Sequence, residues 1–297
     1  MATHHGDPLT ISRNHPVFDL PEIVAVERGL FARAGLDVRF ADGDTHRHGE
    51  SRDPIARRKE ALFEAERADL YNLCEWGGID RLERNTRGGY IGYLRPAVVA
   101  QALVSFDPAL NEPHDMNNVP VGVNEFTGSH YTALHLLEGT VPREQIKLEH
   151  AGPPAARLEA AARRELPAVM LMEPFLSLAL ERGAHLLGCY FYRGAQVVAP
   201  SLPAERIRAF MSAVNAAVDL INADRASFAD RIVEETGGEL APERLRREYH
   251  RFTHAEPFTE KRFTESYAWM RSWQLTDGRS GYDALLALRE GANAHAN

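Results

Sequence analysis

A polar loop near the amino terminus carries residue types that can move protons. His15 lies between Asn14 and Pro16, directly after a short strand expected at residues 10–11. An imidazole with an ordinary pKa of about 6.5 can donate or accept a proton near neutral pH. Loops at strand ends of α/β folds face the ligand crevice, so we expect His15 to transfer protons and Asn14 to contact a ligand. The alternative is an ordinary polar loop residue before a proline.

A second candidate site follows the apolar run 119–123. Ser129 and His130 come directly after Gly128, at the start of a helix expected to continue through Leu137. The first N–H groups of a helix are unpaired and favour anions, so we expect Ser129 and His130 to bind substrate. An ordinary serine N-cap explains Ser129 equally well.

Three further residues are candidates for ligand contact. Trp76 and Gly77 form a turn after the strand-like run 68–73, where they can supply an aromatic wall and open backbone N–H groups. A tryptophan packed in the core is the alternative. Glu173 precedes Pro174, which fits the first position of a helix, so stabilisation of the helix end competes with ligand binding.

Composition excludes several classes of protein. The 297 residues are 44% hydrophobic, enough for one large or two medium cores. The net charge of -8, from 42 acidic and 34 basic residues spread along the chain, makes nucleic acid an unexpected partner. No apolar run reaches the roughly 18 to 20 residues of a membrane span, and the first residues do not read as a signal peptide. We therefore expect no membrane insertion and a cytoplasmic location, or a periplasmic one if a signal peptide was removed.

The cysteines and histidines do not form a metal-binding pattern. The two cysteines, Cys74 and Cys189, are far apart in sequence and match no metal or redox spacing. The 13 histidines form no cluster with cysteine. We assign no metal and no cofactor, and we expect two reduced core thiols.

Apolar periodicity predicts an α/β fold. Strands at 10–11, 36–40 and 68–73 alternate with helices at 20–33 and 54–65, which predicts a mainly parallel sheet. A second α/β series begins after the strand-like run 98–106, with further strands at 119–123, 166–171 and 184–191. From residue 204 to 289 the pattern is helical. These helices are expected to return to a first lobe of residues 1–98 and 200–297, with residues 99–199 as the second lobe.

The order of these segments resembles the type II periplasmic binding proteins of the sulfonate-, taurine- and nitrate-binding and pyrimidine-precursor kind. The resemblance rests on the run 21–38 with its Gly29-Leu30-Phe31 and Gly35-Leu36 steps, and on the runs 121–131 and 173–184. It implies a two-lobed fold with a ligand cleft between the lobes.

One local match within that fold is to the 2'-hydroxybiphenyl-2-sulfinate desulfinases, which cleave an aromatic carbon–sulfur bond without a cofactor. Their nucleophile loop, Ser-Asn-Cys-Pro-Val, is similar to the run 13–17, with His15 in place of the cysteine. Their histidine and arginine ten residues apart are similar to His48 and Arg58. The resemblance implies that Arg58 holds an acid group while His15 and His48 transfer protons. The alternatives are that His48 lies in a solvated loop, or that His46 takes its place, and that Arg58 lies on an exposed helix face.

These observations predict a cofactor-independent enzyme of the desulfinase or decarboxylase type, or a hydrolase, acting on a small anionic or aromatic molecule. The alternative is a solute-binding protein that delivers a sulfonate, taurine-like or pyrimidine ligand to an ABC permease. A third reading is a cytosolic sensor that binds such a ligand without turnover. Only the enzyme requires the side chains of His15, His48 and Arg58 to converge.

Overall fold

Nine strands build the part of the chain that the computed structural model describes, residues 7–41 and 51–286. They are β1 (Leu9–Ile11), β2 (Val38–Phe40), β3 (Leu70–Cys74), β4 (Tyr90–Ser105), β5 (Pro120–Val123), β6 (Lys147–His150), β7 (Ala168–Leu171), β8 (His185–Val198) and β9 (His250–Phe252). They form one sheet in the order β2-β1-β3-β8-β4-β7-β5-β6, with β9 paired to β4. The expected α/β class is confirmed.

Helices cover the sheet. They are α1 (Pro16–Glu27), α2 (Leu30–Arg33), α3 (Arg58–Glu64), α4 (Glu75–Arg84), α5 (Gly128–Leu137), α6 (Pro154–Ala162), α7 (Phe175–Glu181), α8 (Ala204–Ala223), α9 (Ala229–Val233), α10 (Glu260–Ser272) and α11 (Tyr282–Leu285). Pro16 and Pro154 each stand at the start of a helix, where a fixed φ and a missing N–H cost nothing.

The sheet contains two groups of parallel strands. β1 pairs in parallel with β2 and β3, and β5 pairs in parallel with β6 and β7. A helix follows β1, β3, β5, β6 and β7 along the chain. The carboxyl ends of these strands and the amino ends of the helices therefore meet at the same edge of each group, which is where α/β sheets bind ligands.

Two long antiparallel strands connect the groups. β4 has 16 residues and β8 has 14, and they pair along most of their length. Residues 194–198 of β8 also pair with β3, whereas residues 102–104 of β4 pair with β7. β8 therefore joins the first group and β4 joins the second, and the register between the two long strands shifts between Leu94 and Val98.

Apolar packing holds the helices on the sheet. On the first group α1 and α2 pack against α8, where the rings of Phe31 and Phe210 lie 4.7 Å apart. On the second group Val121, Ala133 and Met170 share a buried cluster. Full burial of one such large side chain stabilises the fold by roughly 1.5–3 kcal/mol.

Several element boundaries differ from the sequence-based ones. The helix expected at 20–33 begins earlier, at Pro16, and divides into α1 and α2 at Gly29, whose φ is 63°. The strand expected at 98–106 begins at Tyr90, because apolar side chains continue along a strand buried on both faces. The C-terminal part is not helical throughout, since β9 pairs with Ala97 to Val99 of β4.

Candidate functional site

A cavity of about 70 Å³ lies between the two strand groups, at the carboxyl ends of their strands. The first group contributes residues after β1, at the end of β3 and at the start of α3, namely Asn14, His15, Phe18, Arg57, Lys59, Glu60, Leu73 and Cys74. The second group contributes residues after β5, β6 and β7, namely Asn124, Thr127, Gly128, Ser129, Pro154, Arg157 and Met172. Gln101 of β4 and Tyr192 of β8 complete the lining.

Arg57 connects the two sides of the cavity. It is the N-cap residue of α3 and only 5% exposed. Its Nε donates to the carbonyl of Ser51 at 3.0 Å, and its Nη2 donates across the cavity to the carbonyl of Glu125 at 2.7 Å. Its Nη1 is buried without a hydrogen-bond partner in the described part of the chain. Burial lowers the pKa of Arg57 to about 10, so a buried guanidinium with one free donor faces the cavity at neutral pH.

Two more cations line the same space. Lys59 Nζ donates to the carbonyl of Asn72 at 2.9 Å, and burial lowers its pKa to about 8. Arg157 donates from Nε to the carbonyl of Met170 at 2.7 Å and from Nη1 to that of Gly152 at 2.5 Å. Burial lowers the pKa of Arg157 to about 9. Because these hydrogen bonds end on neutral carbonyl oxygens, they orient the cations without cancelling their charge.

The amino end of α5 adds partial positive charge. Its N-cap residue, Thr127, makes no side-chain cap, and Gly128 and Ser129 at the helix start line the cavity. Ser129 Oγ accepts from the N–H of Asn124 at 2.9 Å, which fixes the preceding loop. Helix α5 has ten residues, long enough for its dipole and first N–H groups to favour an anion.

A buried polar network holds Asn14 at the edge of the cavity. Asn14 Nδ2 donates to Asn72 Oδ1, and Asn72 Nδ2 donates to Asp19 Oδ1 at 2.6 Å. Arg95 lies 3.5 Å from Asp19 and pairs with Glu22. Burial raises the pKa of Glu22 to about 7. These long-range bonds fix the loop after β1 against β3 and β4.

Three of the residues expected from sequence meet at the cavity: Asn14, His15 and Ser129. His15 does not stand free there, because its Nδ1 lies 2.8 Å from Glu235 Oε1. Arg58 is exposed as the first residue of α3 and does not line the cavity. His48 and His46 lie outside the described residues.

The other expected residues have structural partners elsewhere. Trp76 is 2% exposed and packs against the rings of His135 and Trp269. The N–H of Gly77 donates to Cys74 Sγ at 3.3 Å and caps α4. His130 Nδ1 accepts from the N–H of Phe126 at 3.1 Å, and burial lowers its pKa to about 4. None of Trp76, Gly77 and His130 lines the cavity.

Glu173 stabilises the start of α7. Its Oε1 accepts from Ser177 Oγ at 2.8 Å and its Oε2 from the N–H of Ser177 at 3.2 Å. It is fully buried and does not line the cavity, and burial raises its pKa to about 7. Of the two readings that the sequence left open, these contacts match the stabilisation of a helix end.

The raised pKa of Glu173 predicts a pH-dependent stability. The folded state binds this proton up to pH about 7, whereas an unfolded carboxyl loses it above about 4.5. The contribution of Glu173 to the free energy of unfolding should therefore fall by roughly 1.4 kcal/mol per pH unit across this window, and stay level above it. Glu22, whose pKa is also raised to about 7, adds its own fall, so Glu173→Gln should reduce the fall in melting temperature measured from pH 5 to pH 8.

Glu165→Gln is the matched control for that measurement. Glu165 is exposed, and its hydrogen bond from Arg163 lowers its pKa, so it does not titrate between pH 5 and pH 8. This variant should keep the slope of the unaltered protein. Equal slopes in the Glu173→Gln and Glu165→Gln proteins would contradict the assignment.

Close packing at the start of α5 gives a second prediction. A Cβ at Gly128 would overlap the hydroxyl of Tyr192, whereas a Cβ at Gly139 would meet nothing within 4 Å. Gly128→Ala should lower the free energy of unfolding by about 1–3 kcal/mol, since an overpacked interior must shift. Gly139→Ala should change it by less than about 0.5 kcal/mol. Urea denaturation of both variants checks this, and equal midpoints would contradict it.

No protein-family model and no curated protein matches the chain. Solved structures do match it. The alkanesulfonate-binding protein SsuA from Xanthomonas axonopodis pv. citri, bound to MOPS, is 16% identical with a TM-score of 0.71, over 91% of this chain and 93% of its own. The periplasmic aliphatic sulphonate binding protein SsuA from Escherichia coli is 14% identical with a TM-score of 0.71, over 92% of this chain and 94% of its own. The ligand-binding component of an ABC-type import system from Staphylococcus aureus, with zinc bound, is 11% identical with a TM-score of 0.74, over 95% of this chain and 96% of its own.

The chain therefore has the two-lobed fold of the type II periplasmic binding proteins, as its segment order indicated. The particular neighbours named above are of the sulfonate-binding kind or belong to an ABC import system. Among residues 7–41 and 51–286, no helix is both long and apolar enough to cross a membrane.

The expectation of a desulfinase-like, decarboxylase-like or hydrolytic enzyme is wrong. The neighbours are described as binding proteins and as a component of an importer. Of the residues expected to be catalytic, Arg58 does not line the cavity and His15 contacts Glu235. The cytoplasmic location finds no support either, since the Escherichia coli neighbour is described as periplasmic.

Proposed function

We propose that the chain is a solute-binding protein that closes on a small organic anion, a sulfonate or a carboxylate. The observation that carries this proposal is the convergence of Arg57, Lys59 and Arg157 with the start of α5 on one cavity. A buried positive charge is costly unless it is paired, and an anion is the partner that this arrangement lacks. One carboxylate, Glu60, also lines the cavity, but it is paired with Arg81 and does not neutralise the three cations.

The proposed lobes would close through hydrogen bonds that cross the cavity. Arg57 donates to the carbonyl of Glu125, and Arg81 Nη2 donates to that of Phe126 at 2.8 Å. We assign residues 1–98 and the C-terminal part to the first lobe, with the long strands β4 and β8 as the hinge. We place the point where the chain returns from the second lobe to the first near Gly194, because residues 194–198 pair with β3. Opening would break these bonds and release the ligand.

The proposed partner of the closed form is an ABC permease, and the proposed location is outside the cytoplasm. Both proposals are supported by the neighbours described as an ABC import component and as periplasmic. The closed form differs in surface from the open form, so a permease can distinguish loaded from empty protein.

A thermal-shift panel tests the proposed function. Ethanesulfonate and propionate should raise the melting temperature with saturating dose dependence, whereas the neutral analogue propionamide should not. Mass spectrometry after prolonged incubation should return each anion unchanged. A shift with propionamide alone, or conversion of either anion, would contradict a binding protein for anions.

The pKa of Lys59 predicts how affinity depends on pH. Lys59 is charged below about pH 8, and a bound anion favours the charged form. Affinity for ethanesulfonate, which does not titrate in this range, should therefore fall about three- to fivefold from pH 7 to pH 8.5. Calorimetry with Lys59→Met should give weaker binding at pH 7 and little further loss at pH 8.5. An unchanged pH dependence in that variant would exclude Lys59 as the titrating group.

A further inference from the structure

Helix α10 contacts helices of both proposed lobes. On one side it packs against α4, where the hydroxyl of Tyr267 donates to Glu83 Oε1. On the other side it reaches the end of α5, where the rings of Trp269 and His135 stack with their centroids 3.6 Å apart. None of these four residues lines the cavity. By the division proposed above, α4 and α10 belong to the first lobe and α5 to the second, so α10 bridges the lobes outside the ligand site.

Glu138 joins the two sides by accepting two indole hydrogen bonds. Its Oε1 accepts from Trp269 Nε1 at 2.9 Å, and its Oε2 accepts from Trp273 Nε1 at 2.8 Å. Arg143 lies 4.2 Å from the centroid of the Trp273 ring and donates from Nη1 to the carbonyl of Ser272 at 2.7 Å. We call these five residues the clasp.

The position of Glu138 is unfavourable for a carboxylate on its helix alone. It is the C-cap residue of α5, where the helix dipole favours a cation. The two indole donors and the nearby Arg143 offset that cost. The other end of the ten-residue helix lines the cavity with Gly128 and Ser129. One helix of about 15 Å therefore connects the clasp to the proposed anion site.

The clasp lies at the surface, where its two sides can separate. The side chains of Glu138 and Arg143 are 26% and 50% exposed, and Trp269 and Trp273 are only partly buried. Interfaces between domains that move are more polar than a core, because their surfaces meet water when they part. Partly exposed hydrogen bonds from indoles to a carboxylate suit an interface that opens and closes.

We propose that the clasp holds the second lobe against the first in the closed form, so that residues outside the cavity set how long a bound anion stays. Opening breaks both indole hydrogen bonds to Glu138, and closing remakes them. Because the clasp forms after the ligand has entered, it slows dissociation and leaves association little changed. This inference rests on the proposed function and adds a control of ligand release to it.

Tryptophan fluorescence reports on the clasp directly. The chain has three tryptophans, Trp76, Trp269 and Trp273, and the ring centroids of Trp76 and Trp269 lie 5.8 Å apart. Saturating ethanesulfonate should shift the emission to shorter wavelength, because closure removes water from the indoles of the clasp. Binding detected by calorimetry without any change in emission would show that this junction does not move, and would overturn the inference.

Three variants test the contribution of the clasp to release. Glu138→Ala removes the acceptor of both indole bonds, so stopped-flow fluorescence should show ethanesulfonate dissociating about tenfold faster, with association changed less than about threefold. Trp273→Phe keeps a ring beside Arg143 but lacks one donor, and it should dissociate about threefold faster. Glu144→Ala removes an equal charge from an exposed position nearby and should change both rates by less than about twofold.

The outcomes distinguish the two proposals. An unfolded fraction in a variant lowers the stoichiometry measured by calorimetry but leaves the rate constants of the folded molecules unchanged. Equal dissociation rates in the Glu138→Ala and Glu144→Ala proteins would overturn the clasp and leave the anion-binding function standing. If the unaltered protein binds propionate and not ethanesulfonate, the same rates are measured with propionate. No binding of either anion would overturn both proposals.

Discussion

Replacing Arg57 with methionine is expected to lower the affinity of the cavity for ethanesulfonate about 30-fold or more. Removal of one partner from a buried, hydrogen-bonded charge pair costs about 2–5 kcal/mol, and each 1.4 kcal/mol is tenfold in affinity. The variant also lacks the hydrogen bond that Arg57 donates across the cavity to the carbonyl of Glu125, so the closed form is destabilised as well. Titration calorimetry at constant ionic strength measures the loss.

Arg58→Met supplies a matched control for Arg57→Met. The two arginines are adjacent and carry the same charge, but Arg58 is exposed and does not line the cavity. Its replacement should change affinity by less than about threefold, because exposed charges are screened by solvent and salt. Equal losses in both variants would mean that general electrostatic attraction, and not a buried contact, determines binding.

Replacing Arg157 with leucine is expected to reduce both stability and affinity. The carbonyls of Met170 and Gly152 would lose their donors, and hydrogen bonds to charged groups contribute about 1.5–3 kcal/mol each. We therefore expect the free energy of unfolding to fall by about 3 kcal/mol or more, measured by urea denaturation. The affinity for ethanesulfonate should fall at least tenfold, since one of three cavity cations is removed.

Two further variants separate the roles of Arg157. Arg157→Lys keeps the charge but cannot make both hydrogen bonds in the same geometry. Its affinity for ethanesulfonate should therefore stay close to that of the unaltered protein, whereas its free energy of unfolding should fall. Arg163→Leu, at the exposed end of α6, should change the free energy of unfolding by less than about 0.5 kcal/mol. A similar cost for Arg163→Leu and Arg157→Leu would contradict a structural role for the buried guanidinium.

The sequence was sufficient to predict the fold class and the edge of the sheet at which the cavity lies. Alternating apolar runs predict the parallel strand groups, and the loops after their strands contain Asn14, His15 and Ser129, which do line the cavity. These residues lie in or next to the loops that follow strands β1 and β5. Their position therefore follows from the topology of the chain, without knowledge of side-chain contacts.

The charged residues of the cavity could not be predicted in the same way. In the run Arg57-Arg58-Lys59, the boundary of α3 decides which arginine is buried, and a shift of one residue turns a side chain by about 100°. Arg157 lies in an alanine-rich helix, where an exposed arginine is the ordinary expectation. Its burial depends on the carbonyl of Met170, which comes from another element of the fold.

Trp76 and Glu173 were expected at the site but do not line the cavity. Their types and positions fit a ligand site, but in the folded protein both side chains make buried structural contacts. Trp76 completes an aromatic cluster with His135 and Trp269, and Glu173 accepts two hydrogen bonds from Ser177. The sequence left these structural readings open, and only the packing of distant elements distinguishes them.

The most direct test of the account is a crystal structure of the protein grown with 2-bromoethanesulfonate, whose bromine marks the ligand by anomalous scattering. The account predicts one bromine peak inside the cavity, with sulfonate oxygens within about 3 Å of Arg57 Nη1 and of the first N–H groups of α5. A bromine peak confined to the surface, with the cavity holding only water, would contradict the claim that this cavity receives a small organic anion.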